Sequence, residues 1–175
     1  YIAQKKSIDT RRMVLWGTSL SGGYVLELAS QLKNIKAIIA QIPFVDGTES
    51  AKHYPLQFLP QALKISSQDY MGGKVGLSPR TLPVIHPKKL CFLPTPDSYA
   101  GYLSILNPDY YWSGEVPARV FFHLMRFRPI QNVRKITVPT LFIAAKQDTF
   151  IPIEISREAA TNIAPFAQYH EWEMQ

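Results

Sequence analysis

Arg12-Met13-Val14-Leu15-Trp16-Gly17-Thr18-Ser19-Leu20-Ser21-Gly22-Gly23 is the stretch on which the reading of this 175-residue chain turns. Arg12 to Trp16 is a short, mostly apolar run that stops at Gly17, and Leu20 to Leu32 then sets Val25, Leu28, Ala29 and Leu32 at helical spacing. The stretch therefore reads as strand, tight turn and helix, with serines inside the turn. Outward from it, Ile35 to Ile42 is a second continuous apolar run, of the kind a strand buried on both faces of a parallel sheet shows, and Pro43 breaks it. Thr140 to Ala145 is a third, entered through Val138-Pro139 and left through Lys146-Gln147-Asp148. Ile153 to Ala164 reads as a helix with Ile155, Ala159 and Ile163 on one face, and Gln168 to Met174 alternates like a strand. Strands alternating with helices predict a three-layer α/β domain.

Between Phe44 and Arg128 that rhythm stops. Tyr54 to Met71 reads as a helix ended by Gly72-Gly73, and Gly76 to Pro94 as extended and proline-punctuated. Thr95 to Leu106 reads as a capped helix with Pro96 in its first turn, and Val116 to Phe127 as another helix. The expected organisation is a core over 1–43, an insertion over 44–130 and the rest of the core over 131–175. The segment from Phe44 to Arg128 holds 13 of the 21 aromatic residues in 85 of the 175 positions. That enrichment suits a cap over an apolar pocket and equally a small helical core.

Composition narrows the function classes. With 46% hydrophobic and 18% charged residues the chain is globular rather than disordered. Its net charge of +6 comes from scattered residues such as Lys5, Arg12, Lys36, Lys88 and Arg134, without a basic stripe, so nucleic acid is not the expected partner. No apolar run reaches the roughly 18 residues of a membrane span. The single Cys91 excludes a disulfide scaffold, and neither it nor the histidines have metal-ligand spacing, so no metal or other cofactor is expected.

The turn carries the chemistry. A serine hydroxyl is a poor nucleophile unless a base lies beside it and its position is fixed and exposed, which a strained strand-to-helix elbow supplies. Such an elbow needs small residues two before and two after the nucleophile. Gly17 and Ser21 fulfil this around Ser19; Ser21 as nucleophile would put Ser19 and Gly23 there, too far from the strand end. Ser19 is the preferred nucleophile, and the backbone N–H of Leu20, at the start of the helix, the expected oxyanion donor. The other reading is a glycine-rich turn that packs or binds phosphate, although neither the P-loop nor the Gly-x-Gly-x-x-Gly pattern is matched.

With these residues the sequence resembles the α/β-hydrolase superfamily, in particular its dienelactone-hydrolase-like and cocaine-esterase or X-Pro-peptidase-like members, whose elbow reads Gly-x-Ser-x-Ser-Gly-Gly. The resemblance also covers Gln41 to Gly47 and Pro139 to Pro152. It implies an α/β-hydrolase fold, a mostly parallel sheet with helices on both faces and a helical cap insertion, present here as a partial domain. It implies Asp148 as the triad acid, which would hold a histidine in the tautomer that deprotonates Ser19. A turn-capping role is the alternative for Asp148, and Asp46 is the reserve acid. The family's histidine belongs on a loop after the last strand, so the catalytic histidine is not expected in this chain: His170 falls inside that strand, and His53, His86 and His123 fall in the insertion.

The implied activity is cleavage of a carboxylic ester or related acyl bond through an acyl-enzyme on Ser19, with a small acyl compound as substrate. An amide or peptide hydrolase and a non-catalytic binding protein on the same fold are the alternatives. Tyr1 to Ser7 reads as the end of a helix already in progress, and the strand over Gln168 to Met174 stops with no cap, turn or tail, so both ends look cut and the chain alone is expected to be inactive. A cytoplasmic location is expected; the oligomeric state is not readable.

Overall fold

The computed structural model describes residues 9–173. In chain order its elements are β1 (Met13–Thr18), α1 (Leu20–Gln31), β2 (Ile35–Gln41), α2 (Gly47–Ala51), α3 (Leu59–Lys74), β3 (Thr81–Pro83), α4 (Pro96–Ile105), β4 (Glu115–Pro117), α5 (Val120–Arg126), β5 (Thr140–Ala145), α6 (Ile153–Ile163) and β6 (Ala167–Trp172). The chain divides into two compact units: one runs up to Glu49 and resumes at Phe127, and the other is Ser50–Arg126.

In the first unit four parallel strands form a sheet in the order β1-β2-β5-β6. Register sets Thr18 beside Gln41, Gln41 beside Ile143, and Ala145 beside Trp172. Because every strand points the same way, the loops that follow them emerge at one edge, where α/β sheets bind their ligands. The core is built from the inward residues of the strands, Ile38, Ala40, Phe142 and Ala144, and the apolar stripes of α1 and α6, Val25, Leu26, Ala29, Ala159, Ala160 and Ile163. Complete burial of a Leu, Ile or Phe side chain contributes about 1.5–3 kcal/mol each, so this one cluster fixes the register. A side-on tie adds to it: Arg157 of α6 holds Glu171 of β6 at 2.6 and 2.9 Å, keeping that carboxyl at about 2, well below its ordinary value.

The sequence reading of 35–42 as a strand buried on both faces needs correction. Ile38 and Ala40 are buried, but Ala37, Ile39 and Gln41 are only half-buried. The cause is that α1 and α6 pack into the same core cluster, while Val14, Trp16 and Trp172 stay more than half exposed. Tyr1 to Ser7 and Met174 lie outside the described residues.

Two glycines show how tightly α1 is seated. A Cβ on Gly17 would lie 2.3 Å from the Ser21 carbonyl oxygen, and one on Gly23 2.2 Å from the Phe44 carbonyl oxygen. Backbone cannot yield like a side chain, so Gly23→Ala is expected to destabilise by about 1–3 kcal/mol through overpacking. Gly101→Ala in α4, where nothing lies within 4 Å of the added methyl, is the control. It should stabilise by about 0.4–1 kcal/mol by stiffening the unfolded chain. Urea unfolding of the two variants reads both signs.

The second unit has its own core of Tyr54, Ala62, Leu82, Leu90, Ala118 and Phe121. Strands β3 and β4 pair antiparallel, with Leu82 opposite Val116. Two expectations shift here. The helix predicted over 54–71 starts only at Leu59 and runs through Gly72-Gly73 to Lys74. Gly73 is there for packing, since its Cβ would fall 2.0 Å from Nη1 of Arg119, and the chain turns left-handed only at Gly76, φ 78°. The helix predicted from Val116 begins instead at Val120, because 115–117 is taken by β4. Asp69 organises this unit: its buried carboxylate accepts from the Arg80 and Arg119 amides, both at 2.7 Å, and from the Arg119 guanidinium at 2.8 and 2.9 Å.

Candidate active site

Three loops leave the carboxyl edge of the sheet, and each carries one of the residues singled out in the sequence. Ser19 follows β1, Asp46 lies beyond the end of β2, and Asp148 follows β5.

Ser19 is exposed and occupies φ 55°, ψ −120°. For a residue with a Cβ this is strained backbone, of the sort that persists only when its surroundings over-determine it. Those surroundings are visible. The Ser19 N–H donates to the Gln41 carbonyl at 2.9 Å, and the Ser19 carbonyl accepts from Gly23 N–H at 3.1 Å and Phe44 N–H at 2.8 Å. The Ser19 side chain makes no capping bond to α1. Because a peptide unit is planar and trans, anchoring the Ser19 carbonyl on Gly23 and Phe44 aims the Leu20 N–H the opposite way. As a first-turn amide it has no acceptor within the helix, and the helix dipole favours negative charge there.

Ser21 is placed differently. Its hydroxyl accepts from the Thr18 N–H at 2.9 Å and donates to the Thr18 carbonyl at 2.8 Å. Ile42 is the other non-glycine residue with positive φ among the described residues, at 44°, and sits one step beyond β2. A β-branched residue there is a genuine outlier; its N–H is fixed on the Ile143 carbonyl at 2.7 Å. Nothing in the local pattern of residues signals it. Strain thus gathers at the ends of two adjacent strands. A cavity of about 360 Å³ opens at the same edge against Gln41, Ile42, Ile143, Ala145 and Trp172.

Asp148 uses Oδ1 to accept from the Phe150 and Ile151 amides at 2.8 and 2.7 Å, so its carboxylate is held rigidly by the turn it caps. Strands β1 and β5 are separated by β2, which sets their ends roughly 10 Å apart at the usual inter-strand spacing, a gap that an imidazole ring can bridge. A path of contacts joins the two positions. Phe44, whose N–H holds the Ser19 carbonyl, stacks on Phe150 with ring centroids 6.0 Å apart, and the Phe150 N–H is on Asp148. Phe44 also stacks on Phe127, which meets Tyr24 of α1.

Asp46 is buried and already engaged. Both carboxylate oxygens take Nε of Arg128, at 3.1 and 3.0 Å, Nη2 of Arg128 lies 2.9 Å away, and Oδ1 also accepts from Thr48 and Glu49 N–H. Arg128, which sequence reasoning passed over, is thereby held up by its acid: hydrogen bonding to Asp46 raises its already high pKa. His170 lies within β6 opposite Ile143, exposed on the face away from Tyr169 and the core. His53, His86 and His123 belong to the second unit. There the His86 Nδ1 accepts from the Lys88 and Lys89 amides. Among the described residues no cluster of three or more His, Cys, Asp or Glu could hold a metal ion, and no helix is long and apolar enough to cross a membrane.

No protein-family model matches the chain. The quorum-quenching protein AidA of Acinetobacter baumannii strain MDR-ZJ06 is 29% identical over 164 residues, which make up 93% of this chain and 54% of that protein. The chain spans about half the length of the curated relatives it matches. Among solved structures, the α/β hydrolase GrgF from Penicillium sp. sh18 superposes with a TM-score of 0.73 at 16% identity, covering 95% of this chain and 56% of that one. The enol-lactonase from Burkholderia xenovorans LB400 does so at 0.58 and 19%, covering 93% and 58%. With the parallel sheet, its flanking helices and the helical insertion, these likenesses establish the α/β-hydrolase fold.

Proposed function

We propose that this chain carries the nucleophile and the acid of a serine hydrolase that cleaves carboxylic esters, lactones included, through an acyl-enzyme on Ser19. The observation that carries the reading is the backbone of Ser19: an exposed serine on a strained strand-to-helix junction, directly before a first-turn amide that has no acceptor within the helix. In the proposed reaction Ser19 Oγ attacks the acyl carbonyl, and the Leu20 N–H donates a hydrogen bond to the developing oxyanion. The alcohol leaves, and water then attacks the ester carbon to free the acid and restore the hydroxyl. Asp148 holds the imidazole that takes the Ser19 proton. The Gly-x-Ser-x-Ser-Gly-Gly elbow supports the dienelactone-hydrolase-like branch and with it an ester substrate. No metal or other cofactor enters this scheme.

A fluorophosphonate probe on the protein at its natural length tests it. The expected adduct is on Ser19 and disappears in Ser19→Ala, with p-nitrophenyl ester turnover lost in parallel and p-nitroanilides turned over far more slowly. Labelling that survives Ser19→Ala and vanishes in Ser21→Ala would move the nucleophile to Ser21. No labelling and no turnover would leave a binding protein on a hydrolase fold.

A further inference from the structure

We infer that Ser21 is a positioning residue of the elbow: its hydroxyl clamps the peptide unit that precedes Ser19 and so holds the nucleophile's strained backbone in shape. The inference rests on the reading of Ser19 as nucleophile. Its basis is the pair of bonds by which one hydroxyl accepts from the Thr18 N–H and donates to the Thr18 carbonyl.

The peptide unit joining Thr18 to Ser19 has two polar ends. The carbonyl end is held by Ser21, and the N–H end by the Gln41 carbonyl. The next unit, from Ser19 to Leu20, is held by Gly23 and Phe44 through its carbonyl. The φ and ψ of Ser19 are the rotations between these two planes and its Cα, so fixing both planes fixes the conformation. Without Ser21 the first plane is tied only at its N–H end and can tilt about that bond, relaxing φ from 55° toward the region L-residues prefer. A tilt swings Oγ, and a misplacement of about 1 Å can lower a rate about 10²-fold. Glycine, the commoner residue two places after such a serine, has no hydroxyl with which to do this. The same two bonds occupy the Ser21 hydroxyl as donor and as acceptor.

The test compares wild type, Ser21→Ala, Ser21→Gly and Ser21→Thr in the protein at its natural length. Expected are ester kcat and fluorophosphonate labelling rates about ten- to hundredfold lower in Ser21→Ala and Ser21→Gly, with KM nearly unchanged, and recovery in Ser21→Thr, which restores a hydroxyl. Hydrogen exchange of the Ser19 amide, which needs no catalysis, should quicken about tenfold in the Ala and Gly variants and return in Thr. Equal labelling and equal exchange in wild type and Ser21→Ala overturn the inference, as does a Thr variant no better than Ala. A wild type that is never labelled at Ser19 counts against the hydrolase reading alone, and the exchange measurement then decides the clamp by itself.

Discussion

Asp148→Asn is expected to lower kcat for ester turnover by about 10⁴, the size of the corresponding change in a well-characterised serine protease triad, while leaving stability almost untouched. The asymmetry follows from the turn. Oδ1 of Asp148 accepts two backbone amides, and the carbonyl oxygen of an asparagine can accept the same two, so the loop keeps its shape. What is lost is the charge that orients the imidazole and stabilises it once protonated. Asp148→Ala removes the acceptor as well and should add a stability loss that the Asn variant does not show. Asp46→Asn makes the opposite pattern: it breaks a bidentate ion pair with Arg128 whose carboxylate is buried, so its main effect is on unfolding. Steady-state kinetics beside thermal unfolding of the three variants separates these cases. A 10⁴ loss in Asp46→Asn at unchanged stability, with Asp148→Asn active, would reassign the acid.

What the sequence disclosed and what it withheld follow one physical division. Strands β1, β2 and β5 and helices α1 and α6 were legible because a parallel sheet and its covering helices impose a period on neighbouring residues; Thr140–Ala145 falls on the predicted residues. The insertion was less legible because its punctuation serves packing. Gly72-Gly73 reads as a stop in sequence, yet Gly73 makes room for an arginine 46 positions further on. Val116 has helix-compatible neighbours, but pairing with Leu82 makes it a strand.

The site divides the same way. That Ser19 sits at a strand-to-helix junction, and that Asp148 follows a strand of the same sheet, could be read locally. The partner of Asp46 could not, since Arg128 is 82 residues away. Nor could the strain at Ile42, whose N–H is held by the distant Ile143, or the pair of hydrogen bonds between Ser21 and Thr18, which exists only once the elbow has closed. Side chains that recognise a motif are local; side chains that hold it in shape answer to the fold.

Asp69→Ala is expected to destabilise the Ser50–Arg126 unit by about 3–5 kcal/mol, the loss seen when one partner of a buried ion pair is removed. The Asp69 side chain has no exposure, against 27% for Arg119, so the lower part of that range applies. The four bonds converging on it tie the middle of α3 to the residues that open β3 and α5, and removal leaves two amides and a guanidinium without their acceptor. The same network makes a pH signature. Hydrogen bonding from the Arg119 guanidinium, reinforced by the Arg119 and Arg80 amides and opposed by burial, holds the Asp69 carboxyl at about 2 against an ordinary 3.8. A carboxyl whose pKa is depressed by folding stabilises the native state fully above its unfolded value. That contribution, about 2 kcal/mol for a shift of this size, fades as pH falls below 4 and is gone below 2. Asp69→Asn lacks the ionisation and should show a correspondingly flatter dependence over that window. Hydrogen exchange at the Arg80 and Arg119 amides, measured from pH 5 down to pH 2, follows the unit directly. Parallel pH dependences in wild type and Asp69→Asn would show that the carboxylate is not what holds these three elements together.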